Sequence, residues 1–300
     1  MKHYFIMNPH AGKTSSCELI TNEVKRVFNE EDNYVLYETK GAGDAFYYVK
    51  EVCDKLTEDA VFYACGGDGT VYEVMNGLVN CKHAILGIMP TGSCNDFLKS
   101  FPEYDFSNVE NLVNGEVKPL DVLKINDFYS INVANCGFDA KVNDDVQKMV
   151  MKHKNVKKAY NMSIIKNIIK KKADKVKIFL DDVLLKIEKT LLMAFGNGGF
   201  YGGGYHCAPF AKTDDGLIEA VIVKDVSILK FASLVGKYKV GTHLDNDKYK
   251  DIITYKQVKK VVIDAEEPLC FCVDGETVWD KHFDIEILKH QTRIMIPRKN

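Results

Sequence analysis

Asp68 lies inside a dense glycine cluster, Gly66-Gly67-Asp68-Gly69-Thr70, where a strand-like run ends and a helical pattern begins. Glycines without Cβ atoms let a backbone approach an anion closely. The helix that follows offers free N–H groups and the positive end of its dipole. Both features suit phosphate. A carboxylate beside phosphates repels them, so Asp68 must serve some other purpose. It could hold a cation, position a partner loop or bind a nucleotide hydroxyl. Thr70 is placed to cap the helix or to donate to phosphate.

A second loop, PTGSCNDF at residues 90–97, follows the next strand. Gly92 and Ser93 open it, and Asn95-Asp96 are turn and cap residues. Two such loops after neighbouring strands line one crevice. An earlier loop, beginning Asn8-Pro9-His10-Ala11-Gly12, ends like a P-loop, but Met7 stands where that motif needs a glycine. It remains a strand-to-helix loop able to offer backbone N–H groups. GAGDAF at 41–46 has Phe46 where the dinucleotide fingerprint has its last glycine. In the second half, a triple glycine at 202–204 precedes Asp214-Asp215-Gly216, and Asp274-Gly275-Glu276 ends a strand. Carboxylates at two loop tips can bind Mg2+ through oxygen or accept a hydroxyl proton. Each of these stretches alone also reads as an ordinary hairpin turn.

The elements that must hold these loops fall into two groups. HYFIMN, YVLYE, AVFYA and AILGIMP read as strands separated by helices near 17–29, 44–56 and 70–79. That alternation means a parallel sheet with helices on its faces, and ligands beyond the carboxyl ends of its strands. From about residue 117 the pattern turns to strands such as PLDVLKI, KVKIFLD, LIEAVIV and LCFCVDGE, with helices near 141–170 and 227–239. Many strands with few helices imply a mostly antiparallel sandwich. The expected fold is therefore an α/β nucleotide-binding domain over 1–118 and a β-sandwich domain over 119–300. The last strand, about 286–300, could return to the first domain.

The 300 residues are 46% hydrophobic and 27% charged, ordinary for a globular chain, and the net charge of −2 gives no general attraction for nucleic acid. Nine cysteines without a CxxC pair read as core thiols in a reducing compartment. Cys270 and Cys272 share a strand face but lack the rest of a metal ligand set. No signal peptide precedes the first strand, and no apolar run reaches the roughly 18 residues of a membrane span. A cytoplasmic protein that touches a membrane peripherally is expected.

Taken in order, these residues resemble the diacylglycerol kinase catalytic-domain family, the soluble bacterial lipid kinases related to sphingosine and ceramide kinases. The likeness runs through Asn8-Pro9-x-x-Gly12, Thr39, GDA at 43–45, GGDGT with Glu73, Val74, Asn76 and Gly77, then Pro90 and Gly92 to Phe97. It continues through Gly137-Phe138-Asp139, Gly202 to Gly204, Pro209, Ala211, Asp214 to Leu217 and Asp274-Gly275-Glu276. The resemblance implies transfer of the ATP γ-phosphate to a lipid hydroxyl in a cleft between the domains. It implies that Asn8, Pro9, His10, Ala11, Gly12, Thr39, Gly66, Gly67, Asp68, Gly69, Thr70, Val71, Tyr72 and Ser93 contact ATP. It makes Glu276 the general base, and Asp215 with the carbonyls of Lys212 and Leu217 a structural Mg2+ site. Two positions depart from the family pattern: Tyr72 replaces Asn and Cys94 replaces a small residue. Tyr72 is expected to alter the nucleotide contact or stack on the base.

A soluble lipid kinase must reach its substrate. Residues 148–175 carry ten lysines around Ile164, Ile165, Ile168 and Ile169, a basic amphipathic pattern suited to an anionic bilayer or to a core-packed helix with a solvated basic face. Two other readings stand beside the lipid kinase: a kinase of a soluble substrate, as NAD kinases are, and a nucleotide-binding regulator without catalysis. A homodimer is left open.

Overall fold

The computed structural model describes residues 1–12, 16–28, 33–150, 163, 173–245 and 247–299. Of the basic stretch 148–175, residues 151–162 and 164–172 therefore lie outside the described residues. Four strands open the chain: β1 (Lys2–Met7), β2 (Tyr34–Glu38), β3 (Ala60–Gly66) and β4 (Ala84–Pro90). They are parallel, in the order β2-β1-β3-β4. Their near-continuous apolar runs fit strands covered on both faces, and β3 is buried along its whole length. The crossovers are α1 (Ser16–Val27), α2 (Asp44–Cys53) and α3 (Asp68–Leu78). The chain winds outward from β1 to β2, then returns past β1 to β3. Winding therefore reverses between β1 and β3, and a crevice opens there beyond the strand ends. The loops after β1 and β3 border it.

After α4 (Val109–Val113) the architecture changes. The later strands are β5 (Glu116–Ile125), β6 (Phe128–Ser130), β7 (Val133–Gly137), β8 (Asp174–Leu180), β9 (Val183–Leu184) and β10 (Lys189–Gly196), then β11 (Phe200–Tyr201), β12 (Tyr205–His206), β13 (Ile218–Lys224), β14 (Ile253–Val258), β15 (Lys260–Val273) and β16 (Glu276–Ile296). Pairing is antiparallel in the order β14-β13-β10-β7-β15-β16, with β8 against both β10 and β15. Phe195, Phe271 and Phe283 stack in the core on one side. On the other side lie α5 (Phe138–Val150) and α6 (Ile228–Lys239). Cys270 and Cys272 pack there against Ala140 of α5, as core thiols. No cysteine forms a disulfide.

β5 and β16 cross between the domains as an antiparallel ribbon. Leu120, Val122 and Ile294 to Ile296 belong to the first core, whereas Leu123, Ile125, Phe283 and Ile285 belong to the second. Ile294 pairs with Leu86 of β4 in parallel. The ribbon slips register between Leu288 and Thr292, where His290 takes a φ of 53°. Among the described residues, no helix is long and apolar enough to cross a membrane.

Candidate active site

Three loops of the first domain meet at the crevice. The Asn8 N–H donates to the Cys65 carbonyl at 3.0 Å, and Asn8 Nδ2 donates to Thr70 Oγ1 at 3.1 Å. Asn8 Oδ1 accepts the His10 N–H at 2.9 Å, which curls the loop. Thr39, just past β2, donates its N–H to the Met7 carbonyl and is buried. Gly67, not Thr70, occupies the N-cap position of α3, no side chain caps the helix there, and the Thr70 hydroxyl accepts from Asn8 instead. The glycines are needed where loops touch. A Cβ on Gly12, at φ 74°, would lie 2.1 Å from the Thr91 carbonyl oxygen. One on Gly92 would lie 2.5 Å from Gly67 Cα. The N–H groups of Thr91 and Gly92 both donate to the Gly66 carbonyl, at 3.0 and 3.1 Å. Val71 is buried behind this junction, and Ser93 is exposed on it.

Asp68 fastens the junction. Its carboxylate accepts the N–H of Asn95 at 3.0 Å and of Asp96 at 2.8 Å. Burial raises its pKa, and those two donors oppose the rise. Of the roles open to Asp68, the positioning of a partner loop is the one seen here. Asp96 then reaches into the second domain, accepting the Gly203 N–H at 2.7 Å while pairing with Lys99. Glu73 accepts the Gly43 N–H at 2.8 Å, and Asn76 exchanges hydrogen bonds with the Tyr129 backbone. Thus α3 holds the 41–44 loop on one side and β6 on the other.

Facing Asp68 is the turn between β15 and β16. Asp274 (φ 46°) and Gly275 (φ 101°) form a two-residue hairpin with Val273 opposite Glu276. This is the turn geometry that requires positive φ at both positions. The turn reading of this stretch holds, and its Asp274 and Gly275 also line the cavity described below. The Asp274 carboxylate turns inward and accepts from Ser130 Oγ at 2.7 Å and from the Ile131 and Val133 N–H groups at 3.3 Å. Burial pushes its pKa up to about 7, and the charge of Asp68 adds to the rise. Glu276 begins β16 and is exposed. The Tyr72 ring is partly buried and packs on the second core. Burial, then the charges of Asp274 and Glu276, push its phenol up to about 12.

The loop of Lys212, Asp215 and Leu217 lies elsewhere, outside the cavity described next. Asp215 Oδ1 accepts the Leu217 N–H at 2.9 Å, and Gly216 turns the chain at φ 76°. The fully buried Asp121 holds this loop, taking the Gly216 N–H and the His290 N–H at 2.6 Å each. The donors available to an ion are one carboxylate and backbone carbonyls, a hard oxygen set that suits Mg2+ with water completing its shell. Among the described residues, no group of three or more His, Cys, Asp or Glu side chains is placed to hold a metal ion.

Motifs alone do not reveal the cavity at the site. An apolar cavity of about 560 Å3 starts at Asp68, Asp96 and Asp274 and runs into the second domain between α5 and α6. Its wall includes Phe138, Leu192, Val223, Phe231 and Leu234. Asp139 is the acidic residue deep in that wall, and the Tyr201 hydroxyl donates to it, with the Tyr238 hydroxyl 3.4 Å from that of Tyr201. Burial raises Asp139 to about 6, and the Tyr201 bond works against that. The residues that line the cavity come from loops and helices far apart in sequence, and GFD at 137–139 is the local signal among them.

Residues 2–125 match the family described as diacylglycerol kinase catalytic domain. Residues 132–295 match the YegS C-terminal NAD kinase beta sandwich-like domain. The diacylglycerol kinase of Bacillus subtilis (strain 168) is 28% identical over 279 residues, covering 90% of this chain and 88% of that one. A crystal structure of a diacylglycerol kinase from Bacillus anthracis str. Sterne superposes with a TM-score of 0.73 at 25% identity, covering 98% of this chain and 96% of that one. An NAD kinase from Archaeoglobus fulgidus in complex with ATP gives a TM-score of 0.54 at 12% identity over 99% of this chain and 94% of that one, which is a likeness of fold alone. Glycine loops at a winding reversal, a carboxylate hairpin facing them and an antiparallel second domain thus meet in one chain, which belongs to the diacylglycerol kinase family with a YegS-type C-terminal domain and is a kinase.

Proposed function

We propose that the protein transfers the γ-phosphate of ATP to the hydroxyl of diacylglycerol or a related lipid alcohol, at the surface of an anionic membrane. The observation that carries this reading is the cavity of about 560 Å3 that leads away from the glycine loops between apolar walls. Its size falls within the roughly 300–1,000 Å3 usual for small-molecule sites. A soluble dinucleotide acceptor would leave such a cavity unused, whereas acyl chains fill it.

Phosphoryl transfer asks a protein mainly for positioning and charge neutralisation. The 8–12, 66–70 and 91–93 loops border the place of the phosphates, and the start of α3 offers them its first N–H groups and the positive end of its dipole. Asp68 keeps those loops together, and it is a positioning residue here. Glu276 accepts the proton of the lipid hydroxyl. Asp274 fixes the hairpin from which Glu276 projects, through its bonds to Ser130, Ile131 and Val133. Mg2+ held by Asp215 and the carbonyls of Lys212 and Leu217 would supply positive charge that orders the 212–217 loop.

The test is a transfer assay with labelled ATP, Mg2+ and a panel of acceptors. Label should enter diacylglycerol, and Glu276→Ala should lower that rate by about 10²–10⁴-fold. Label in NAD, or in no acceptor, would refute the proposal.

A further inference from the structure

Helix α6 presents a face that phosphoryl transfer leaves unexplained. Phe231, Leu234 and Tyr238 are buried toward the protein. On the outer side Leu229 is 84% exposed and Ile228 is 44% exposed. Val240, one residue past the helix, is 62% exposed. A single exposed leucine is ordinary. Two further observations set this one apart. Ile228 and Ala232, one turn apart, both line the apolar cavity and are both exposed, so the cavity wall and the outer surface meet along the first half of α6. Leu229 stands between them in sequence. The charge of the helix itself also has one sign: α6 carries Lys230, Lys237 and Lys239, all exposed, and no acidic residue, the exposed Asp225 lying just before it.

Apolar side chains flanked by lysines fit the boundary of an anionic bilayer, where lysines meet lipid phosphates and leucine meets acyl chains. A second copy of the chain, packed face to face through this patch by two-fold symmetry, would set lysines against lysines. We propose that α6 is the face that docks on an anionic membrane, and that the lipid acceptor passes from the bilayer into the cavity beside Ile228 and Ala232 without crossing water. This rests on the lipid-kinase reading and adds to it the surface and the route.

The test uses Leu229→Glu and Lys230→Glu, neither of which touches the cavity. Each variant is compared with the wild type on long-chain diacylglycerol in phosphatidylglycerol vesicles and on a short-chain diacylglycerol dissolved as monomers. Flotation with the same vesicles reads docking without catalysis. Flotation and vesicle activity should fall on the order of tenfold, given the loss of one apolar contact or the reversal of one charge. Activity on the monomeric lipid should stay at the wild-type level, which also shows that the variants fold. Wild-type flotation by both variants would overturn the docking face. Normal activity on vesicles by both would overturn the route. A fall in sedimenting mass in Leu229→Glu would give the face to a second copy and overturn the bilayer assignment. A wild type that phosphorylates neither lipid would remove the lipid-kinase reading and the route with it, while flotation would still decide the docking face.

Discussion

The carboxylate of Asp68 accepts the backbone N–H of Asn95 at 3.0 Å across the crevice, and takes the next N–H, that of Asp96, at 2.8 Å. One side chain at the start of α3 thereby fixes the far end of the 91–96 loop, whose near end hangs on the Gly66 carbonyl, and through Asp96 it holds the Gly203 turn in the other domain.

Asp68→Asn should uncouple these loops. The asparagine can accept one of the two bonds, but its amide group meets the other N–H donor to donor. A stability loss of about 1–3 kcal/mol is expected in urea denaturation, with a clearly raised KM for ATP. An unchanged KM would mean that the loops hold their places without the carboxylate.

Asp274 makes stability depend on pH. Its value of about 7 in the folded protein lies above the ordinary 3.8, so the folded state keeps a proton that the unfolded chain releases. The stability it contributes is complete below about pH 4 and is lost as pH rises to about 7. Asp274→Asn lacks this contribution. The wild type should therefore lose ground against the variant between about pH 4 and pH 7, then hold level above that range. Urea midpoints for both proteins across that range check this, and parallel curves would refute it.

Asp121→Ala should be the costliest of these changes. It orphans the Gly216 and His290 N–H groups around a fully buried position. A loss of about 3 kcal/mol or more is expected by chemical denaturation. A loss below about 1 kcal/mol would show that water or a rearranged loop satisfies those donors.

Ala232→Trp should narrow the cavity where it meets the surface, at little structural cost because Ala232 is exposed. The expected result is a fall of at least about tenfold in kcat/KM for long-chain lipids, with the KM for ATP unchanged. Equal losses for long and short chains would place the acyl chains elsewhere.

The glycine loops are legible in the sequence because a loop between a strand and a helix is written in consecutive residues. The two-domain fold is legible for a similar reason, since the period of the apolar pattern changes near residue 117. The DGE stretch reads equally as a turn and as a site, and it is a turn whose conformation directs its carboxylates. Asp121 stays hidden as one acid in the strand PLDVLKI, because its partners Gly216 and His290 stand 95 and 169 residues away. Asp139 is a similar case, meeting Tyr201 62 residues later. The cavity is less local still, since its wall draws on residues from Asp68 to Gly275. Tyr72 carries a second role that its adjacency to GGDGT does not announce, since its position on α3 also packs it on the second core.

The last turn of the ribbon has a consequence for how the chain is born. Ile294, Met295 and Ile296 at the end of β16 are core residues of the first domain, and Ile294 pairs beside β4. Synthesis runs from the N-terminus, and domains commonly fold in that order as they emerge. Here the first domain cannot close its core until residue 296 has left the ribosome. The second domain, with its slow antiparallel pairing, is made in between. The first half must wait with an unpaired edge at β4 until that pairing forms.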